Sequence, residues 1–278
     1  MQVYKDIEPV RNFSQQKKAA GKRVGLVATM GALHEGHLSL VRQSLAETDV
    51  TIASIFVNPL QFNSLSDLEK YPRTLDSDVA LLESVGCHSV FHPAPAAIYP
   101  NPPQLKFDFG DLDKILEGQF RPGHFSGVGI VVAKLLNIIQ PHVAYFGQKD
   151  YQQFLIISRL VQDLNFPVRL VCSEIVREPS GLAMSSRNQR LSPEEGEAAS
   201  ALFRALQLAK ENLAKKDWIE IKNEVEATLI QIGVRLEYLE LADRKSLAVL
   251  QESNPDVPSI LLIAAYVGQV RLIDNLFV

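Results

Sequence analysis

The stretch RVGLVATMGALHEGHLSLVRQSLAE, residues 23–47, decides the fold class. It opens with an almost wholly apolar run over 23–29, passes through a turn with two glycines, and continues with helical spacing over 37–47. Apolar strands of this kind are typical of a parallel sheet that is covered on both faces. The stretch therefore predicts a strand, a turn and a crossover helix of an α/β layer.

The same alternation continues over the first 175 or so residues. Further apolar, β-branched runs occupy 50–57, 88–91, 142–147 and 167–173. Segments with helical spacing lie between several of them, at 76–85, 127–139 and 151–164. Strands that alternate with helices through right-handed crossovers predict a Rossmann-like, doubly wound parallel sheet.

The last third of the chain has a different pattern. Helices are predicted over 192–213, where Ser192 can cap and Pro193 suits the first turn, and over 218–233. Strands follow at 235–243, 259–267 and 270–278, and Gly268 suits the first central position of a hairpin turn between the last two. The pattern predicts a first domain over 1–176 and a smaller α+β domain over 177–278, with a hinge at 177–191.

Composition excludes several classes of protein. Of the 278 residues, 28 are basic and 32 acidic, for a net charge of −4, which is unlike the basic footprint of a nucleic-acid binder. The N-terminus lacks the apolar centre of a signal peptide, and no apolar run is long enough to span a bilayer. Cys87 and Cys172 are too isolated for a disulfide framework and are expected to be small buried side chains. We expect a cytoplasmic protein without a nucleic-acid or membrane partner.

The turn TMGALHEGH, residues 29–37, is the first candidate site. Ligands of open parallel sheets bind beyond the carboxyl ends of the strands, where this turn leaves the first apolar run. Gly31 and Gly36 allow a close approach of backbone to a ligand, and unpaired N–H groups at the following helix N-terminus suit an anion. His34 and His37 are one turn apart, so both imidazoles are expected on one face. The pattern is neither a Walker A nor a dinucleotide fingerprint, and a zinc pair lacks a partner at metal-site spacing.

Two later segments are also candidates. In AYFGQKDYQQ, residues 144–153, Lys149 can neutralise phosphate, and Asp150 can accept from ribose hydroxyls or cap the next helix. In GLAMSSRN, residues 181–188, two hydroxyls and Arg187 lie together in a predicted loop, which by itself is also typical of a polar turn. Asp76 and Asp78 remain open between surface helix residues and ion contacts.

These segments resemble the adenylyl-transferring HIGH/KMSKS superfamily: HEGH is similar to its HIGH element and MSSR to a reduced KMSKS element. The resemblance narrows to the pantothenate synthetase (pantoate–β-alanine ligase) family through TMGALHEGHLSLV, FVNPLQF, YPRT, RPGHFSGV, QPHVAYFGQKDYQQ and REPSGLAMSSRN. It covers most of residues 24–190. Ala28 stands where the family usually has proline, and Ser180 where aspartate is common.

The resemblance implies an AMP-forming ligase that acts in two steps. Pantoate carboxylate attacks the α-phosphorus of ATP to give pantoyl adenylate and pyrophosphate, and the amine of β-alanine then displaces AMP to give pantothenate. Mg²⁺ is implied as a cation that bridges phosphate oxygens, with unknown protein ligands. A homodimer formed through the first domain is implied as well.

Site residues are carried over where the motifs match. His34, His37 and Lys149 are implied to be catalytic, and the 177–191 loop is implied to cover the phosphates. ATP contacts are implied for Met30, Gly31, His34, Gly36, His37, Gly147, Gln148, Lys149, Asp150, the backbone near Val176, Met184, Ser185, Ser186 and Arg187. Contacts with the acid substrates are implied for Asn58, Gln61, Gln153, Met30, Arg121, His124, Val131 and Val132.

Parts of this sequence pattern also suit four other functions. An aminoacyl-tRNA synthetase needs a basic surface for tRNA, which this chain lacks. Another nucleotidylyltransferase of the superfamily is a nearer rival, although the set of Asn58, Gln61 and Gln153 argues against it. A metallohydrolase built on His34 and His37 and a non-catalytic nucleotide-binding regulator are the remaining alternatives.

Overall fold

The structure is a computed structural model that describes residues 1–278, apart from the side chain of residue 65. The chain divides into two compact units. The first unit contains residues 1–147 and 152–173, and the second contains 148–151 and 174–278. Among the described helices, none combines the length and the apolar character needed to cross a bilayer.

The first unit is built on a six-stranded parallel sheet, in the order β1-β4-β3-β2-β5-β6. The strands are β1 (Gln2–Tyr4), β2 (Val24–Thr29), β3 (Val50–Ile55), β4 (Ser89–Phe91), β5 (Val143–Gly147) and β6 (Arg169–Ser173). Each apolar run of the sequence contains one strand, which confirms the predicted doubly wound sheet. The chain leaves β2 towards β3 on one side and reaches β5 on the other, so the topological switch point lies between β2 and β5.

Helices cover both faces of this sheet. They are α1 (Ile7–Ala19), α2 (Glu35–Glu47), α3 (Leu65–Lys70), α4 (Leu75–Ser84), α5 (Pro95–Ile98), α6 (Glu117–Phe120), α7 (His124–Ile139) and α8 (Tyr151–Asp163), whose first residue belongs to the second unit. Leu26 packs with α1, α7 and α8 on one face, while its neighbour Val27 packs with α2 and α4 on the other. Because successive strand side chains alternate between faces, two apolar cores form from continuous apolar strands.

Two elements at the start of the chain were not predicted. The edge strand β1 has only three residues, too few for a periodic pattern, and it pairs with β4. The helix α1 follows it and packs against the first core through Val10. Helix α7 begins at His124, three residues before the predicted start at 127, because the left-handed residue Gly123 allows the chain to turn into the helix there.

The second unit places two helices on an antiparallel sheet. It consists of α9 (Pro193–Asn212), α10 (Trp218–Gln231) and the strands β7 (Val234–Asp243), β8 (Ser259–Val267) and β9 (Val270–Phe277), in the order β7-β8-β9. The predicted cap is present: Ser192 Oγ accepts from Glu195 N at 3.2 Å, and a Glu195 carboxylate oxygen accepts from Ser192 N at 2.9 Å. Gly268 has a φ of +55°, as the first central position of a primed hairpin turn requires.

Candidate active site

The turn after β2 is held by a buried carboxylate. Asp78 in α4 is 1% exposed and accepts hydrogen bonds from Ala32 N at 3.0 Å and from Leu33 N at 2.8 Å. The turn has a φ of +83° at Gly31 and of +50° at Ala32. A Cβ at Gly31 would lie 2.9 Å from Asp78 Oδ2, so both the conformation and the contact require glycine. Asp78 is therefore not a surface residue, whereas Asp76 is exposed.

The two histidines of this turn lie side by side. Their ring centroids are 4.1 Å apart, which confirms that both imidazoles share one face. His34 caps α2 by accepting from Gly36 N at His34 Nδ1 (3.1 Å), and His37 Nδ1 accepts from His34 N at 3.3 Å. Because each Nδ1 is an acceptor, the neutral ring carries its proton on Nε2. In the neutral form, each imidazole of the turn can therefore act as a hydrogen-bond donor through Nε2.

The N-terminus of α2 differs from the expectation of unpaired backbone donors. Gly36 N–H is bonded to the His34 ring, and His37 N–H donates to His34 O at 2.8 Å. The expectation was wrong for these two groups, because histidine at the cap position closes a capping box. Any hydrogen bonds from this turn to an anion would come mainly from the imidazoles.

Polar residues after β3 form a second cluster in the first unit. Asn58 and Gln61 flank a 3₁₀ turn at Pro59–Gln61, and Asn58 Nδ2 donates to Gln61 Oε1 at 3.1 Å. His124 Nδ1 is 2.8 Å from Gln61 O, so the start of α7 is joined to this turn. A Cβ at Gly127 would overlap Leu60 O and lie 2.9 Å from Gln61 N. The structure therefore brings together three of the predicted substrate residues.

The remaining predicted substrate residues of the first unit have varied surroundings. Arg121 Nη1 lies 3.9 Å from a carboxylate oxygen of Glu117, which is buried, so Arg121 already faces a negative charge. Gln153 is half-buried on α8, and its side chain makes no hydrogen bond among the described residues. Met30 is half-buried after β2, and Val131 and Val132 belong to the first apolar core.

In the second unit, Asn275 holds the turn that carries Lys149. This turn is a 3₁₀ helix over Gln148–Asp150 that follows Gly147. Asn275 is 1% exposed and donates to Gln148 O at 2.9 Å and to Lys149 O at 3.0 Å, while Gln148 Nε2 donates to Asn275 Oδ1 at 3.0 Å. Lys149 is half-buried, and Asp150 is exposed with no hydrogen-bond partner among the described residues. The predicted capping bond of Asp150 is therefore not found there.

Asp274, the residue before Asn275 in β9, binds the segment that precedes the Ser-Ser-Arg motif. Asp274 accepts two hydrogen bonds from Arg177, at 2.6 and 3.0 Å, and Arg177 also donates to Gly181 O at 3.1 Å. The Arg177 guanidinium lies 3.6 Å from the centre of the Phe203 ring. Burial raises the pKa of the Asp274 carboxyl, and Arg177 opposes that shift. Each charge is thus compensated by its partner.

The Ser-Ser-Arg motif is more ordered than the predicted loop. Val176 O accepts from Met184 N at 3.0 Å, and Arg177 pairs with Ala183 in an antiparallel bridge. Ser185 Oγ then caps a 3₁₀ helix over Ser186–Arg190 by accepting from Arg187 N at 3.2 Å. The motif therefore lies where a short hairpin passes into a helical turn, which the aperiodic sequence did not indicate.

No group of three or more His, Cys, Asp or Glu side chains within the described part of the chain is arranged to hold a metal ion.

Comparison with known proteins decides the family. The family model described as pantoate-beta-alanine ligase matches residues 2–277. The chain belongs to the pantoate–β-alanine ligase family. This confirms the resemblance stated from the motifs and the expected class of enzyme, an AMP-forming ligase.

Relatives in the pantoate–β-alanine ligase family are similar over their full length. The pantothenate synthetase of Cytophaga hutchinsonii is 46% identical over 276 residues, which cover 98% of this chain and 97% of the relative. That of Thermotoga neapolitana is 46% identical over 279 residues and covers 99% of both chains. The similarity thus includes the C-terminal third.

Solved structures of the family have the same fold. The pantothenate synthetase of Thermus thermophilus matches with a TM-score of 0.90 and 39% identity, over 99% of each chain. The pantoate-beta-alanine ligase of Francisella tularensis, complexed with beta-gamma ATP and beta-alanine, matches with a TM-score of 0.81 and 36% identity, over 100% of this chain and 97% of that one. The predicted fold class is confirmed.

The sequence did not reveal the roles of several residues that shape the site in this family member. They are Asp78, Tyr99, Gln152, Asp274 and Asn275, each of which acts on backbone or on another polar side chain. Gln152, for example, donates to Leu112 O and Ile115 O at 2.8 and 2.9 Å and accepts from Glu117 N at 3.0 Å. Their partners are distant in the chain, so no local signal points to them.

Proposed function

We propose that the chain ligates pantoate and β-alanine to pantothenate at the expense of ATP. A pantoate carboxylate oxygen attacks the α-phosphorus, and the bond to the leaving pyrophosphate breaks. The β-alanine nitrogen then attacks the acyl carbon of pantoyl adenylate, the bond to the phosphate oxygen breaks, AMP leaves and the amine loses a proton. Membership of the ligase family supports this reaction, and the F. tularensis relative with its nucleotide and β-alanine supports the substrates.

The observation that carries the residue assignment is the pair of Nε2–H donors on His34 and His37. Negative charge grows on the oxygen that joins the α- and β-phosphates as pyrophosphate leaves. Donors that are already oriented stabilise such charge without reorganising. We assign both imidazoles to the triphosphate, with His37 closest to the leaving group.

The other nucleotide contacts follow from charge. Both reactants of the first step are anions, and the chain itself has a net charge of −4, so positive charge has to be gathered locally. Lys149 and Arg187 supply it in the second unit. Gly147, Gln148 and Asp150 are assigned to ribose and phosphate, the backbone at Val176 to adenine, and Met184, Ser185 and Ser186 to the phosphates, with Gly31 and Gly36 shaping the histidine turn.

Pantoate is assigned to the first unit. Amide side chains bind a carboxylate and hydroxyls without adding charge, which suits Asn58, Gln61 and Gln153. Met30, Val131 and Val132 are assigned to the apolar side of the pocket. Arg121 and His124 are assigned to the neighbourhood of the acid substrates.

Mg²⁺ is proposed to enter with the nucleotide. This cation binds substrate phosphates together with one or two carboxylates and keeps several waters. The donor set of the described residues, which has no cluster of three acidic or histidine ligands, fits a cation held mainly by phosphate oxygens. When bound, Mg²⁺ would neutralise charge on the phosphates. A cytoplasmic homodimer stays a prediction from the sequence and the family, and sedimentation tests the dimer.

A two-stage assay tests the reaction. Pyrophosphate release from ATP should require pantoate, and AMP release should follow only when β-alanine is added. Pyrophosphate release without pantoate would favour another nucleotidylyltransferase. Metal-dependent turnover without ATP would favour a hydrolase, and the absence of any turnover would favour a nucleotide-binding regulator.

A further inference from the structure

The amide of Asn58 has a single orientation. Asn58 is 1% exposed, its Oδ1 accepts from Leu60 N at 3.4 Å, and its Nδ2 donates to Gly127 O at 3.1 Å. A backbone N–H can only donate and a carbonyl can only accept, so the oxygen and nitrogen of this amide cannot exchange places. The two backbone groups therefore set the polarity of Asn58.

Tyr99, from a distant part of the chain, forms a hydrogen bond with this amide. Its hydroxyl lies 2.9 Å from Asn58 Oδ1, and because that oxygen accepts, the phenol donates. The Tyr99 ring is half-buried, with the Phe56 ring centre 6.0 Å and the Lys134 ammonium 5.5 Å from its own. Burial raises the pKa of the Tyr99 phenol, so the hydroxyl keeps its proton over the working pH range.

The orientation of the Asn58 amide also determines that of the Gln61 amide. Asn58 Nδ2 donates to Gln61 at 3.1 Å, so the atom that Gln61 turns towards Asn58 is its oxygen. The main chain of Gln61 is held as well, since its carbonyl is 2.8 Å from His124 Nδ1. Gln61 Nε2 then points away from Asn58 and has no hydrogen-bond partner among the described residues. Since Gln61 as a whole is only 8% exposed, this unpaired N–H₂ group is a candidate donor for a bound acceptor.

We propose that Tyr99 is a positioning residue: its hydroxyl holds the Asn58 amide in place, and Asn58 in turn makes Gln61 present its N–H₂ group rather than its oxygen to the substrate. The group that Gln61 binds is then an acceptor, a carboxylate or hydroxyl oxygen. The inference rests on the proposed function in taking pantoate as the molecule that supplies this acceptor. Tyr99 itself touches no reacting atom in this arrangement.

The test is Tyr99→Phe in the full chain, which removes only the hydroxyl. We expect the KM for pantoate to rise about three- to tenfold, as for the loss of one hydrogen bond, with the KM for ATP and kcat little changed. The matched control is Tyr4→Phe, because the Tyr4 hydroxyl also donates to an amide oxygen, that of Gln2, at 2.8 Å. This control should leave all three constants unchanged.

A double-mutant cycle with Gln61→Ala separates the relay from a general structural effect. If Tyr99 acts through Gln61, Tyr99→Phe should have no further effect on pantoate binding once Gln61 is alanine. Additive effects, an equal rise in the KM for ATP, or no effect of Tyr99→Phe while Gln61→Ala weakens pantoate binding would each overturn the relay and leave the proposed function standing. If Gln61→Ala leaves pantoate affinity unchanged, the assignment of Gln61 to pantoate fails, and the relay fails with it.

Discussion

The carboxylate of Asp78 accepts a hydrogen bond from the backbone N–H of Leu33 at 2.8 Å, and thereby fixes the turn that leads to the two histidines. Its other oxygen accepts from Ala32 N, the residue with a φ of +50°. A left-handed conformation at alanine costs energy and persists only where the surroundings determine it. The position of the imidazoles thus depends on a side chain in another helix.

We predict that Asp78→Asn destabilises the protein and slows the first step. An asparagine amide can accept from only one of the two N–H groups and turns its own N–H₂ towards the other, which should cost about 1–3 kcal/mol. Urea unfolding measures the loss, and single-turnover formation of pantoyl adenylate measures the slowing. Asp76→Asn, on the exposed face of the same helix, is the control and should behave as wild type. Unchanged stability in Asp78→Asn would mean that the turn keeps its conformation without the Asp78 carboxylate.

His37→Ala and Lys149→Ala should fold normally and lose most of the first step. Each removes a donor that we assign to the phosphates, and by analogy with an oxyanion-hole donor the loss should be about 100- to 1000-fold, or roughly 3–4 kcal/mol. Rapid-quench measurement of pantoyl adenylate in a single turnover gives the rate. Lys215→Ala, an exposed lysine of the second unit, serves as the control. A near-normal rate in either variant would remove that residue from the proposed mechanism.

Asn275→Ala should impair ATP binding together with stability. The change leaves the carbonyls of Gln148 and Lys149 without their donor, at a cost of about 1–3 kcal/mol for a buried group left unpaired. Calorimetric titration with ATP and Mg²⁺ should show weaker binding, because the backbone of Lys149 is no longer held. Asn223→Ala, on the exposed side of α10, should leave both properties unchanged. An intact ATP affinity in a destabilised Asn275→Ala would limit Asn275 to a structural role.

Cys87 should resist alkylation in the folded protein. Burial raises the pKa of its thiol to about 11, and the side chain is 4% exposed. At pH 8 the thiol therefore stays protonated, and the thiolate that reacts with iodoacetamide is scarce. Mass spectrometry of the digested protein should find Cys87 modified only after treatment in urea. Rapid modification without denaturant would show that the apolar core around Cys87 opens locally.

The sequence predicted those parts of the fold and site that depend on local patterns. The sheet followed from apolar strands such as 50–57, since burial on both faces leaves a continuous signature. The side-by-side placement of His34 and His37 followed from helical spacing. The edge strand at Gln2–Tyr4 was missed because three residues carry no period.

The roles of the residues that hold the site were missed for a different reason. Asp78 bonds to backbone 45 residues earlier, and Asn275 to backbone 126 and 127 residues earlier. Only the tertiary fold brings such pairs together, and an isolated aspartate or asparagine is most often a surface residue. The tautomers of the two imidazoles could not be predicted from the sequence either, because they depend on which backbone N–H donates to each ring.

The membership of residues 148–151 in the second unit has a consequence for dissecting the enzyme. A polypeptide truncated to begin at residue 174 would keep both helices and all three strands of that unit, yet Asn275 would lose every side-chain partner described above. The segment from residue 174 onwards is therefore an incomplete form of the second unit. The fragment should therefore be less stable than the same unit in the full chain, and urea unfolding measures the difference.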